Sequence, residues 1–207
     1  MGFFAEQVRP RLLDATMRTP AMLAARARAC SGLSGDVLEI GYGSGLNHGH
    51  LPSAVRGVWA VEPSSTALRI AAGRTAGSGV PVILAGDDAQ SLDLPDARFD
   101  AALSTWTLCG IPDPVRALRE VARVLRPGAA LHFVEHGLAP EESVARWQRR
   151  GNRFNRNLGG CLLDRDIPAL VRAAGFPVVE VRTHYLPGAP RAVGCTYEGR
   201  ARTAGPA

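Results

Sequence analysis

Lysine is missing from this 207-residue chain, and all 24 basic residues are arginine. Against 19 acidic residues they give a formal net charge of +5. Arginine used to the exclusion of lysine, beside abundant alanine and glycine, marks a compositional bias and not a nucleic-acid surface. Cysteine is scarce as well. Cys30, Cys109, Cys161 and Cys195 are widely spaced and form no C-x-x-C pair, which argues against a disulfide framework and a structural zinc. No apolar run approaches the length of a membrane span. The opening Met1-Gly2-Phe3-Phe4-Ala5-Glu6 carries no basic-plus-apolar signal peptide, and Glu6 occupies the Ser/Thr position of a myristoylation signal. Repeats and low-complexity tracts are lacking too. What remains is 46% hydrophobic with a mean hydropathy of −0.01. That composition predicts one domain over residues 1–207 with a sizeable core, located in the cytoplasm.

The informative stretch runs from Val37 to Leu46. Val37, Leu38 and Ile40 form the apolar run of a strand covered on both faces. Gly41, Gly43 and Gly45 then remove side chains at alternate positions, so the backbone can bend tightly and let a ligand lie against it. In open α/β sheets ligands bind beyond the carboxyl ends of the strands. A dinucleotide fingerprint would place its third glycine at position 46, where Leu46 stands, so a nicotinamide oxidoreductase is disfavoured. The E-x-G-x-G-x-G pattern of Glu39, Gly41, Gly43 and Gly45 resembles the first motif of class I S-adenosylmethionine (SAM) methyltransferases.

Residues 3–29 read as two helices, restarted by Thr19 as cap with Pro20 at the first helical position. A short helix to about 51–52 follows the glycine turn. Strands are predicted at 57–61, 80–85, 99–104 and 129–134, with a terminal pair at 178–183 and 192–197. Ser64 caps a helix to about residue 74. Asp113-Pro114 opens another, with the stripe Val115, Leu118, Val121, Ala122 and Leu125, stopped by Arg126-Pro127-Gly128. Helices are also predicted at 141–155 and 164–174, the second ended by Gly175. Strands alternating with helices imply an α/β fold with a mostly parallel sheet wound on both faces.

Glu62 ends the second strand, where a carboxylate can accept from both ribose hydroxyls. It also suits a helix N-terminus, where the macrodipole favours a negative charge. The third strand runs into Gly86-Asp87-Asp88-Ala89, followed by Leu94-Pro95-Asp96 and Phe99-Asp100. This series is similar to a pattern of small-molecule class I methyltransferases, among them the quinone-biosynthesis C-methyltransferases. Alignment from Phe99-Asp100 puts Asp88, not Asp87, in the adenine-binding role, and leaves Asp100 a structural task. Thr105-Trp106-Thr107-Leu108-Cys109, Phe133-Val134-Glu135-His136, Trp147-Gln148 and Gly159-Gly160-Cys161 resemble the branch containing the animal thiol methyltransferases. The similarity covers roughly residues 30–200.

The resemblance implies a Rossmann-like, doubly wound seven-stranded sheet, with the helical segment 1–30 over the site. It implies SAM as cofactor, with contacts at Glu39, Gly41, Tyr42, Gly43, Gly45, Asn47, Glu62, Pro63, Asp88, Ala89, Thr105 and Trp106. Methyl transfer to a small-molecule acceptor follows, with an alkyl thiol as the acceptor the branch suggests; no metal, nucleic acid or membrane span is required. Two departures stand out. Leu162 occupies the place of the branch's usual histidine, and the animal members' apolar membrane-anchoring N-terminus has no counterpart in the first residues. His136 is the remaining acid–base candidate, with shaping of the site as its alternative task. His132 and His136 lie roughly 13 Å apart along a strand and make no metal pair. His48 and His50 read as surface histidines, Cys109 and Cys161 as small buried apolar residues. Arg146, Arg149, Arg150, Arg153 and Arg156 read as a solvated helix face, with an anionic-partner site as the alternative. A SAM-binding module without catalysis is the rival function, supported by Leu162.

Overall fold

The computed structural model describes residues 4–158 and 160–205. Met1, Gly2, Phe3 and Gly159, all used above, lie outside the described residues, as do the side chains of Arg153 and Arg156. A π-helical turn, Phe4–Val8, leads into α1 (Arg9–Thr16) and α2 (Pro20–Cys30). Then follow β1 (Gly35–Ile40), β2 (Val55–Val61), α3 (Ser65–Thr75), β3 (Val82–Gly86), β4 (Phe99–Thr105) and α4 (Pro114–Val124). The chain continues through β5 (Leu125–His136), α5 (Glu142–Leu158), α6 (Ile167–Ala173), β6 (Val178–Tyr185), α7 (Arg191–Gly194) and β7 (Cys195–Arg202).

The seven strands form one sheet in the order β3-β2-β1-β4-β5-β7-β6. All pairings from β3 through β5 are parallel, while β7 runs antiparallel to both β5 and β6. The mostly parallel, doubly wound sheet expected from the sequence is therefore present. Alternate residues of β1 feed two cores: Leu38 and Ile40 pack with Phe99, Leu118 and Phe133, whereas Val37 packs with Ala25, Val58 and Leu103. A strand buried on both faces in this way has no solvent side to show, hence the apolar Val37, Leu38 and Ile40, interrupted by the buried Glu39.

Capping explains where the helices start. Thr19 accepts from Met22 N at 3.3 Å, Ser64 from Ala67 N at 3.2 Å and Asp113 from Arg116 N at 3.0 Å. Each such cap contributes about 1 kcal/mol. Several expectations need correction. The helix expected from 164 begins at Ile167, because Asp166 caps Ala169 N at 3.0 Å. Residues 191–194 form α7, so the last strand starts at Cys195 and not at 192. Arg126-Pro127-Gly128 does follow the end of α4 but lies inside β5. Pairing jumps there from Phe99↔Leu125 to Ala101↔Ala130, and the surplus residues bulge out. The short helix after the glycine turn is a single 3-10 turn, His48–His50. Arg146, Arg149 and Arg150 are exposed on α5, as a solvated face requires. Among the described residues no helix is long and apolar enough to cross a membrane.

Candidate functional site

The strand order reverses between β1 and β4: the chain leaves β1 toward β2 on one side and returns to β4 on the other. The helices that follow diverge there and leave a crevice at the carboxyl ends of the strands. A cavity of about 510 Å³ occupies it, within the range of small-molecule sites. The glycine turn, the ends of β2, β3, β4 and β5, and Cys161 supply its floor and walls, and Pro10, Leu13, Asp14 and Met17 close one side. α1 therefore borders the cavity. Asp14 holds it there, bonding Ser44 Oγ at 2.6 Å and Arg74 Nη2 at 2.8 Å across the turn.

Gly41 and Gly43 have φ of +67° and +58°, in the left-handed region. A Cβ on Gly41 would lie 2.1 Å from Thr107 Oγ1, so this position also needs glycine for packing. At Gly43 the nearest atom to an added Cβ is Gly41 O at 3.8 Å, and the backbone is open to the cavity. Gly43 N donates to Glu62 Oε2 and Ser64 N to Glu62 Oε1, both at 2.8 Å. The carboxylate therefore braces the turn from the end of β2 and serves the helix N-terminus at once. Burial pushes its pKa up, and the two amides oppose that by favouring the charged form.

Against the cavity lies a buried polar group whose centre, Arg26, was not read from the sequence. Arg26, only 5% exposed, donates from Nη1 to Asn47 Oδ1 and Thr105 Oγ1, both at 2.8 Å. Asn47 Nδ2 donates to Glu39 Oε1 at 2.7 Å and to Thr105 Oγ1 at 2.9 Å. Burial raises the Glu39 pKa to about 8, opposed by Asn47 and by the charge of Arg26. Arg26 is itself lowered to about 10 by the same burial. Its guanidinium sits 4.8 Å from the centroid of Trp106, a residue with φ of +50°, rare for a large side chain. An arginine in an alanine-rich helix gives no sequence signal of burial.

Of the expected cofactor contacts, Gly41, Tyr42, Gly43, Glu62, Pro63, Asp88, Ala89, Thr105 and Trp106 line the cavity, while Glu39, Gly45 and Asn47 stand behind it as supports. The Tyr42 phenol is turned into the core, Oη lying 3.4 Å from His48 Nδ1. Asp87 and Asp88 both line the cavity, and Asp88 Oδ1 accepts from Gln90 N at 2.8 Å and Gln90 Nε2 at 2.9 Å. Asp100 bonds Asp36 N at 2.8 Å and pairs with Arg56 and Arg126, the structural role expected of it.

His136 closes β5 and lines the cavity beside Trp106, with Nδ1 buried and lacking a hydrogen-bond partner. Glu135, facing the other way, accepts from Ser104 Oγ at 2.6 Å and from Thr107 N and Leu108 N at 3.1 Å, which fixes the loop after β4. Burial raises its pKa to about 7 against these bonds. Two readings fail. His48 is buried, not superficial: its Nε2 lies 2.5 Å from Ser78 Oγ, in the loop that follows α3. Cys161 is half-buried, not buried: it lines the cavity with Sγ 3.2 Å from that of Cys109. His132 is buried elsewhere, bonded to Ala29 O at 2.9 Å. Among the described residues no cluster of three or more His, Cys, Asp or Glu could hold a metal ion.

Residues 38–133 match the model of a methyltransferase domain. A human thiol S-methyltransferase is 30% identical over 186 residues, covering 83% of this chain and 75% of that protein. A phosphatidylethanolamine N-methyltransferase of Cereibacter sphaeroides is 32% identical over 129 residues, 60% of this chain and 62% of that one. Among solved structures, a SAM-dependent methyltransferase of Thermotoga maritima superposes with a TM-score of 0.68 at 24% identity, over 93% of this chain and 94% of its own.

Proposed function

The chain belongs to the class I SAM-dependent methyltransferases, enzymes that carry the methyl group of SAM to a small-molecule acceptor, and on that premise we propose that its acceptor is a small alkyl thiol. In this reading donor and acceptor share the one cavity at the switch point of the sheet. The observation that carries the donor end is the Glu62 carboxylate bonded to Gly43 N at the mouth of the glycine turn. A carboxylate offers about four lone-pair sites, and two backbone amides use two of them. The remainder suits two ribose hydroxyls. The open face of Gly43 and the unpartnered, buried Trp106 Nε1 fit a polar ligand laid against the turn.

Gly41, Tyr42 and Gly43 would lie along the donor's amino-acid end, Glu62 and Pro63 along its ribose, and Asp88 and Ala89 along its adenine. Thr105 and Trp106 would wall the reacting centre, with Glu39, Gly45 and Asn47 holding the turn in shape from behind. When bound, the donor supplies an electrophilic methyl carbon on a sulfonium. The chain's task is to align the acceptor with it, exclude water and accept the acceptor's proton. In this reading His136, which lines the cavity, takes that proton from the thiol. Leu13, Met17, Trp106 and Ile111 give the acceptor side an apolar lining. The thiol reading draws on the human relative, whose name states that substrate. Cytoplasmic activity without a nucleic-acid partner belongs to the same proposal. The rival reading of a non-catalytic SAM sensor gains no support, since the relatives are named as enzymes.

Release of S-adenosylhomocysteine from SAM, measured with alkyl thiols, phenols, amines and quinols in parallel, tests the proposal. Turnover with thiols is expected. Vigorous methylation of phenols or quinols with none of thiols would reject the acceptor class while leaving the family standing.

A further inference from the structure

Four cysteines are present, and their surroundings divide them sharply. Cys30 and Cys195 are buried, and burial pushes their thiols up to about 12 and about 11. Cys109 and Cys161 come from different loops, 52 residues apart, yet their sulfurs stand 3.2 Å from each other. Neighbouring bonds stitch the two loops together. Leu162 N donates to Cys109 O at 2.8 Å, and Arg165 Nη2 donates to Ile111 O at 2.6 Å. The pair is asymmetric. Cys109 is fully buried, whereas Cys161 is half-buried and faces the cavity beside His136.

We propose that Cys109 and Cys161 form a peroxide-responsive thiol–disulfide site, with Cys161 the attacking sulfur and Cys109 the resolving one, whose closure disables the acceptor side of the cavity. The Cys109 thiol donates to Cys161 Sγ, which holds Cys161 below the ordinary thiol range, with His136 adding to the effect. The same bond, together with burial, raises Cys109. A thiolate open to the cavity next to a protonated partner is the arrangement in which a two-step oxidation is fast.

In the first step the Cys161 thiolate attacks a peroxide oxygen. The S–O bond forms, the O–O bond breaks, and the departing oxygen takes a proton and leaves as water or an alcohol. Cys161 is now a sulfenic acid, oxidised by two electrons. In the second step Cys109 Sγ loses its proton and attacks Cys161 Sγ. The S–S bond forms, and the hydroxyl leaves with that proton as water. A disulfide needs about 2.05 Å between sulfurs, so the two sulfurs must close by roughly 1.1 Å, a movement that draws the Cys161 sulfur toward buried Cys109 and away from the cavity. The bond also removes the thiol beside His136. The donor end, at the glycine turn and Glu62, is untouched. An external dithiol would return both cysteines to thiols by exchange.

The test uses the full chain, treated with hydrogen peroxide, alkylated and cleaved with trypsin. Cleavage after arginine places Cys109 in peptide 99–116 and Cys161 in peptide 157–165. The expected result is one cross-linked species of these two peptides, two hydrogens lighter than their sum and restored by dithiothreitol. Methyl transfer should be lost and regained in step, while calorimetry shows SAM binding within about two-fold of the reduced chain. In the reduced protein Cys161 should alkylate at pH 7 at least about ten-fold faster than Cys30 or Cys195. With Cys109→Ala, peroxide should carry Cys161 on to sulfinic acid, which dithiothreitol does not reverse. Absence of the 99–116/157–165 species in folded, peroxide-treated protein would overturn the proposal. So would full methyl transfer by the cross-linked form, or unchanged reversibility in Cys109→Ala. Because the cross-link is read by mass, it stands or falls independently of the acceptor's identity.

Discussion

Replacing Arg26 by methionine tests whether the buried polar group beneath the cavity is a single electrostatic unit. Methionine keeps much of the stem's volume, but removes the charge, both hydrogen bonds from Nη1 and the guanidinium that sits over Trp106. Asn47 Oδ1 and Thr105 Oγ1 each lose a partner now 2.8 Å away, and Glu39, only 1% exposed, loses the nearby cation that favours its charged form. Leaving the buried Asn47 Oδ1 unpaired costs about 1–3 kcal/mol and losing the desolvated cation–aromatic contact with Trp106 about 2 kcal/mol more, together a large share of the 5–15 kcal/mol typical of a whole domain. For a chain of this size each kcal/mol moves Tm by roughly 2–4 °C, so a fall of about 6–20 °C is expected by calorimetry without ligand. Adding Glu39→Gln should recover part of it, with a coupling of about 0.5–3 kcal/mol in the double-mutant cycle. The pH dependence has a definite sign. Glu39 is raised from 4.5 to about 8 in the folded chain, so the stability it contributes is present below about pH 4.5 and is lost as pH rises through 8. Without Arg26 the folded pKa moves higher, and the loss of stability toward pH 9 becomes steeper. A cost under about 1 kcal/mol, or two single changes that simply add, would refute the argument.

Gly41→Ala should cost about 2–5 kcal/mol, combining a left-handed φ with a Cβ 2.1 Å from Thr107 Oγ1; urea denaturation measures it, and a cost below about 1 kcal/mol would mean that the turn relaxes freely. Glu62→Ala should raise the SAM dissociation constant about 10- to 100-fold, the worth of roughly 1.5–3 kcal/mol for bonds to a charged acceptor. Calorimetry on the folded variant reads it, and unchanged affinity would leave Glu62 only its turn-bracing role. His136→Ala should slow thiol methylation more at pH 7 than at pH 9, since an alkyl thiol of pKa near 8.5 ionises unaided at the higher pH. Equal loss at both pH values would make His136 a positioning residue.

The sheet, the glycine turn, the caps at Thr19, Ser64 and Asp113, and the place of Glu62 at the end of β2 were legible from the sequence by itself. Each rests on local chemistry: the period of apolar residues, a backbone that must turn with positive φ, a side-chain oxygen three residues before an open N–H. The resemblance carried by Glu39, Gly41, Gly43 and Gly45 could therefore imply SAM without any knowledge of what packs against them. The chain's return at α7 and the bulge at Arg126-Pro127-Gly128 escaped notice, because strand limits are set by the partner strand and not by the strand's own residues. The sharper limit concerns charge and sulfur. Arg26 meets Thr105 from 79 residues away, and Cys109 meets Cys161 from 52. In the sequence Arg26 is one of 24 arginines and the two cysteines are unrelated singletons. Whether an arginine is solvated or buried over a carboxylate, and whether a thiol is inert or ionised, depends on burial and on neighbours brought within about 3–5 Å. Only the packing of loops against the finished sheet decides those distances.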